Sequence, residues 1–84
     1  MKARRVIESA SFEPATLAVL CKAFDQGWGE IEHHFRGDDA ATEHARMRLA
    51  YAVLIVARED DDSPEQVKND ALQVLALAAR RRER

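Results

Sequence analysis

Hydrophobic residues recur at helical spacing in three stretches of the chain, of which the first covers about residues 12–36. Its apolar positions are separated alternately by four and three residues, the pattern of a helix with one narrow buried seam. They are Leu17, Cys21, Phe24, Trp28, Ile31 and Phe35. Ser11 is a suitable N-cap ahead of Pro14, and Gly37 suits the left-handed position after the last turn. The stretch predicts one long amphipathic helix.

The second stretch covers about residues 39–59, with Asp38 or Asp39 as its N-cap. Nine consecutive apolar residues, 49–57, lie in its second half. On a helical wheel the apolar residues form two faces about half a turn apart. The first face consists of Ala45, Leu49, Ala52, Val53 and Val56, and the second of Met47, Tyr51, Leu54 and Ile55. A helix that is apolar on two opposite sides has to be covered on both.

The third stretch covers about residues 63–81. Ser63, Pro64 and Gln66 suit the N-cap, the first and the third helical positions. Its apolar stripe is Val67, Ala71, Val74, Leu75 and Ala78, with Leu72 and Leu77 on the margins. Because both connections are short, successive helices should run antiparallel. The predicted fold is all-α: one domain over residues 1–84, a three-helix up-down-up bundle.

Residues 1–10 precede the first predicted helix, and the pattern leaves two alternatives for them. They form either a disordered arm or a short segment that Val6 and Ile7 anchor to the bundle.

The two-faced second helix predicts association. Two neighbouring helices cannot hide its whole circumference, so a second copy of the chain is the simplest cover. The predicted interaction surface consists of Met47, Tyr51, Leu54, Ile55, Leu72 and Leu77. A homodimer and a complex with a different, unidentified protein would bury the same surface, so both interpretations stay open. In either case the expected function is a small non-enzymatic interaction module.

The charge distribution provides an alternative from another functional class. The formal net charge is −2, but basic residues concentrate at the two ends and leave an acidic body. The alternative is a nucleic-acid-associated regulator whose contacts are Arg80, Arg81, Arg82 and Arg84. The acidic body and the few basic residues on the outer face of the third helix argue against it.

Cysteine usage and hydropathy predict a cytoplasmic protein. Cys21 is the single cysteine, so the chain can form no internal disulfide, and its place on the seam is typical of a core residue. The N-terminus has no apolar segment of the kind that secretory signals contain. The nine-residue apolar run is shorter than the roughly 20 residues that span a bilayer. We therefore expect no membrane partner.

Candidate chemical sites are weak. Glu30 and His33 have the Glu-x-x-His spacing of di-iron bundles, but the wheel directs both outward. His34 and His44 flank the first connection and could bind a surface metal only adventitiously. The acidic run 59–62 lacks the spacing of a calcium loop. We predict no enzyme activity, no catalytic or metal site and no cofactor.

The segment Gly27-Trp28-Gly29 is unexpected inside a helix, because each glycine costs about 1 kcal/mol relative to alanine. Trp28 lies on the seam and Gly27 near its margin, where a second helix could approach closely. Gly29 faces solvent. A bend in the helix and a partner resting on this segment both remain open.

Four segments carry a resemblance: FEPATL at 12–17, AFDQGW at 23–28, RLA at 48–50 and VARED at 56–60. In these the chain resembles small uncharacterised all-helical proteins of rhizobia and related α-proteobacteria, over roughly residues 12–79. The shared motifs are patterns of packing and capping. The resemblance implies a bacterial cytosolic helical protein and transfers no catalytic residue.

Overall fold

A computed structural model describes residues 2–35 and 37–82, with side chains as far as Ala78. These residues form the helices α1 (Lys2–Glu8), α2 (Pro14–Ile31), α3 (Asp39–Val56) and α4 (Pro64–Arg82), and a 3-10 turn, Glu32–Phe35, extends α2. Helix accounts for 82% of the described residues and none of them lies in a strand, which confirms the all-α class. None of these helices combines the length and the apolar character needed to cross a bilayer.

The predicted count of three helices is wrong, because residues before the first predicted helix form α1. Ala3 and Ile7 are fully buried and Val6 is half-buried, so the short helix has one apolar side. That side packs against both α2 and α3. Residues 2–8 are therefore not a disordered arm, and Val6 and Ile7 anchor them to the core. A seven-residue helix is too short to be stable alone, so this packing must hold it.

Helix α2, like α3, contacts all three of the other helices. Its buried residues are Thr16, Leu20, Cys21, Ala23, Phe24, Gly27 and Trp28. The predicted seam is correct at Cys21, Phe24 and Trp28, whereas Leu17 is only half-buried and Leu20 is fully buried. A single narrow seam is typical of a helix that packs against one neighbour. Helix α2 packs against three helices, so its buried surface is broader than the predicted seam.

The start of α2 is held by the loop that connects α3 to α4. Ser11 is not the N-cap, since Glu13 occupies that position and its side chain makes no capping bond. Instead, the backbone N–H of Glu13 donates to Oε1 of Glu59 at 2.9 Å. The hydroxyl of buried Thr16 donates to the backbone carbonyl of Glu59 at 2.8 Å. A residue distant in sequence thus provides the capping acceptor that Ser11 does not.

The other helix boundaries follow local sequence signals. Gly37 has a φ of +89°, as its place after the α2 extension predicts. Oδ1 of Asp38 accepts from the N–H of Ala41 at 3.0 Å, so Asp38 is the N-cap of α3. Oγ of Ser63 accepts from the N–H of Gln66 at 3.3 Å, ahead of α4. Helix α3 ends at Val56, short of the predicted residue 59, because Glu59 turns toward the start of α2.

We expect Ile7→Ala to lower the free energy of unfolding by about 2–4 kcal/mol, because it empties a fully buried site between α1, α2 and α3. Urea denaturation followed by circular dichroism measures this change. Arg5→Ala, at an exposed position of the same helix, is the control and should change stability by less than about 0.5 kcal/mol. Equal effects of the two substitutions would contradict the docking of α1.

We expect Glu59→Ala to destabilise the protein by about 1 kcal/mol, because it removes the acceptor at the N-terminus of α2. The bond from Thr16 should survive, since it goes to the backbone carbonyl of residue 59. Asp60→Ala removes a neighbouring exposed carboxylate for which no side-chain hydrogen bond is found in the described part of the chain, and it serves as control. If thermal unfolding gives the two variants the same midpoint, Glu59 does not act as a cap.

Candidate interaction surface and apolar groove

Helix α3 is covered over more of its circumference than its sequence suggests. Ala45, Leu49, Ala52 and Val53 on its first face are buried, as is Ala50. Met47 and Leu54, on the second face, are half-buried and pack against the core. Because α1 packs against α3, the N-terminal helix covers part of the surface of α3.

Three large apolar side chains nevertheless remain exposed among the residues that the structure describes. The exposed fractions are 52% for Tyr51, 70% for Ile55 and 53% for Leu77. Tyr51 and Ile55 are one turn apart on α3, and Ile55 and Leu77 line the same hollow between the end of α3 and the outer side of α4. We call these three residues the exposed patch.

The six residues of the predicted interaction surface differ in their surroundings, and only Tyr51, Ile55 and Leu77 are exposed. Met47 and Leu54 contribute mainly to the core, and Leu72 lies on a different side of α4 from Leu77, where it lines a separate groove. Positions 72 and 77 are about 140° apart around a helix, so a single partner surface cannot easily cover both.

Neutral polar residues and residues of both charges surround the hollow of the exposed patch. They are Arg58, Asp61, Gln66, Asp70 and Gln73. Oδ2 of Asp61 accepts from the backbone N–H of Arg58 at 2.6 Å, and Oδ1 of Asp70 accepts from Nε2 of Gln66 at 3.0 Å. An apolar centre with a polar rim is the usual anatomy of a protein interface.

A second feature is an apolar groove of about 570 Å³ where the end of α2, the first half of α3 and the second half of α4 meet. Ile31, Phe35, Ala41, Ala45, Leu72, Leu75 and Ala76 form its apolar lining, and His34, His44 and Arg48 complete it. We call this feature the apolar groove. The hydrophobic pattern of the sequence does not predict this groove. The alanines at 41, 45 and 76 could have indicated it, because their small side chains leave space between larger neighbours.

The segment around Trp28 supports one wall of the groove. Trp28 is 7% exposed and stacks on Phe35, with ring centroids 5.9 Å apart and planes 15° apart. The guanidinium of Arg46 lies 5.1 Å from the centroid of the Trp28 ring. The same guanidinium pairs with Glu43 at 2.7 Å. Trp28 is therefore a core anchor with a cation–π contact.

The two glycines beside Trp28 have different surroundings. A Cβ atom at Gly27 would lie 3.4 Å from Cγ of Lys68 and 3.5 Å from Cδ2 of Leu49, so this glycine sits where α2, α3 and α4 approach closely. Gly29 is exposed, and a Cβ there would meet nothing within 4 Å. Helix α2 continues through both positions.

The candidate chemical residues are dispersed. Oε2 of Glu30 pairs with Nζ of Lys68 at 2.6 Å, and His33 is exposed in the 3-10 turn with its ring 4.0 Å from that of His34. Across the residues that the structure describes, no three side chains of the metal-binding types come together.

Cys21 is 7% exposed and lines a shallow depression with Arg4 and Asp25. The thiol of Cys21, through a hydrogen bond, and the carboxylate of Asp25, through its charge, raise the pKa of Arg4. The guanidinium of Arg4 lies 3.4 Å from the Asp25 carboxylate. These contacts join α1 to α2 and leave Arg4 charged.

The predicted nucleic-acid contacts lie outside the described part of the molecule. This applies to the side chains of Arg80, Arg81 and Arg82 and to the whole of Arg84. Comparison of the chain with protein-family models, with curated proteins and with solved structures found no match.

Proposed function

We propose that the protein is a small non-enzymatic interaction module that forms a homodimer through the exposed patch. The observation that carries this proposal is the exposure of Tyr51, Ile55 and Leu77, each by more than half. Ile55 and Leu77 line one hollow between α3 and α4, and Tyr51 lies one turn before Ile55 on α3. Soluble domains rarely leave several large apolar side chains exposed together unless another surface covers them.

The rim of the hollow favours a second copy as the occupant. A twofold interface places the same surface on both sides, so that surface has to complement itself. Arg58 and the carboxylates of Asp61 and Asp70 border the hollow together. A twofold arrangement can therefore place the cation of one copy near an anion of the other, whereas a rim of one charge would repel itself.

The expected dimer is weak. Full burial of a large apolar side chain contributes about 1.5–3 kcal/mol, so six half-exposed side chains across the interface contribute about 5–9 kcal/mol. Association costs about 4–15 kcal/mol in lost translation and rotation. Because the two contributions are similar in size, we expect a reversible dimer whose affinity depends on the rim contacts.

We also propose a cytoplasmic location and a bacterial source. A single, buried thiol suits a cytoplasmic location, where thiols stay reduced. The resemblance to helical proteins of rhizobia favours a bacterial source. A different protein that covers the exposed patch is the alternative to a second copy, and the experiment below separates the two.

We expect Ile55→Lys to weaken self-association by tenfold or more, because it places a charge at the centre of the patch. Sedimentation velocity from about 10 µM to about 1 mM brackets the affinity expected of a weak dimer. The wild type should shift from 9.5 kDa toward twice that mass, while the variant stays near 9.5 kDa.

Ala18→Lys, which puts the same side chain on an exposed position of α2, is the matched control and should associate like the wild type. Because Ile55 is 70% exposed, its substitution should leave the unfolding midpoint nearly unchanged. A wild type that stays at 9.5 kDa throughout, or an Ile55→Lys variant that associates equally well, would refute the homodimer.

A further inference from the structure

The apolar groove differs from the other hollows of the described molecule in its lining. Its volume of about 570 Å³ is similar to theirs and lies within the roughly 300–1,000 Å³ of typical ligand pockets, but seven of its ten lining residues are apolar. Three elements form it, and its largest apolar side chains, Ile31, Phe35, Leu72 and Leu75, are only half-buried. The helices that create the groove thus leave its apolar walls partly open to solvent.

The one fixed charge at the groove is positive. Arg48 lines it beside the imidazole rings of His34 and His44, and none of its lining residues is acidic, in a chain that contains 15 acidic residues. No ion pair of Arg48 is found among the described residues, and the same holds for Arg5, Lys22 and Arg58, of which none lines the groove. Glu43, the sequence neighbour of His44, is held by Arg46. Arg48 is therefore available to a ligand anion.

The size of the groove favours a small amphiphile over a protein helix. Stable protein interfaces use about 20–30 residues on each side. Ten residues line the groove, and three of these are alanine. A single flexible hydrocarbon chain fits among four large apolar side chains, and one anionic head matches one free guanidinium.

We propose that the apolar groove binds a free medium-chain carboxylate. Its hydrocarbon chain lies among Ile31, Phe35, Leu72 and Leu75, and its carboxylate is bound by Arg48 with His34 and His44 beside it. This site is independent of the proposed dimer, because the groove shares no lining residue with the hollow of the exposed patch.

Decanoate, below its micelle-forming concentration, is the probe for this proposal. We expect saturable binding by calorimetry and a change in the emission of Trp28, the single tryptophan, because Trp28 stacks on the groove residue Phe35. Amide chemical shifts should change around Ile31, Leu72 and Leu75 but not around Ile55. Decanol, which lacks the charge, should bind more weakly, and decylamine should bind least.

Two variants distinguish the contact with the carboxylate of decanoate from the contacts with its hydrocarbon chain. Arg48→Gln should weaken decanoate binding about tenfold and leave decanol binding unchanged, because it removes only the charged contact. Ala76→Phe should weaken both, because it adds a ring to the groove from an exposed position outside the buried core. Arg58→Gln removes the corresponding charge from the other hollow and should bind decanoate like the wild type.

Several results would overturn the proposal. These are the absence of saturable binding, decylamine binding as tightly as decanoate, and ligand-induced shifts centred on Ile55 and Leu77. Groove shifts that appear on raising the protein concentration alone, and that decanoate does not reverse, would also overturn it, since a second copy would then occupy the groove. A monomeric wild type that binds decanoate would refute the dimer and support the groove.

Discussion

The packing of three helices around α2 is the constraint on which the rest of the structure depends. Leu20 and Phe24 are fully buried, and α1, α3 and α4 all contact the helix that carries them. At Gly27, side chains of Leu49 in α3 and Lys68 in α4 lie within van der Waals distance of the place that a Cβ atom would take. The backbone of α2 is therefore in close contact with both neighbouring helices at this residue.

Helix α1 and the loop between α3 and α4 both stabilise this arrangement. Helix α1 covers part of α2 and α3 through Ala3 and Ile7, although its seven residues could not form a stable helix in isolation. Glu59, in the loop after α3, accepts hydrogen bonds from Glu13 and Thr16 at the start of α2, so it holds that loop against the N-terminus of α2. Local structure at both places depends on tertiary contacts.

A chain of 84 residues can surround one helix but cannot also cover the outer sides of those that surround it. The two surfaces that stay open differ in chemistry. The exposed patch has a rim of both charges, which suits a surface that meets its own copy. The apolar groove has the guanidinium of Arg48 and no acidic lining residue, which suits an anion that carries a hydrocarbon chain.

Local signals determined the all-α class and most helix boundaries. Asp38 and Ser63 cap the helices that follow them, and Gly37 takes the left-handed conformation, because these effects involve residues only a few positions apart. The two-faced pattern placed Tyr51 and Ile55 on an apolar surface outside the bundle, and both are exposed, whereas Met47 and Leu54 of the same face are half-buried against the core.

Only the tertiary structure decided the docking of α1, the broad buried surface of α2, the cap from Glu59 and the existence of the groove. Each of these depends on which helices lie side by side, and periodicity along one helix carries no information about its neighbours. A pattern shows which side of a helix is apolar; the partners that cover that side, and the space they leave, are set by packing in three dimensions.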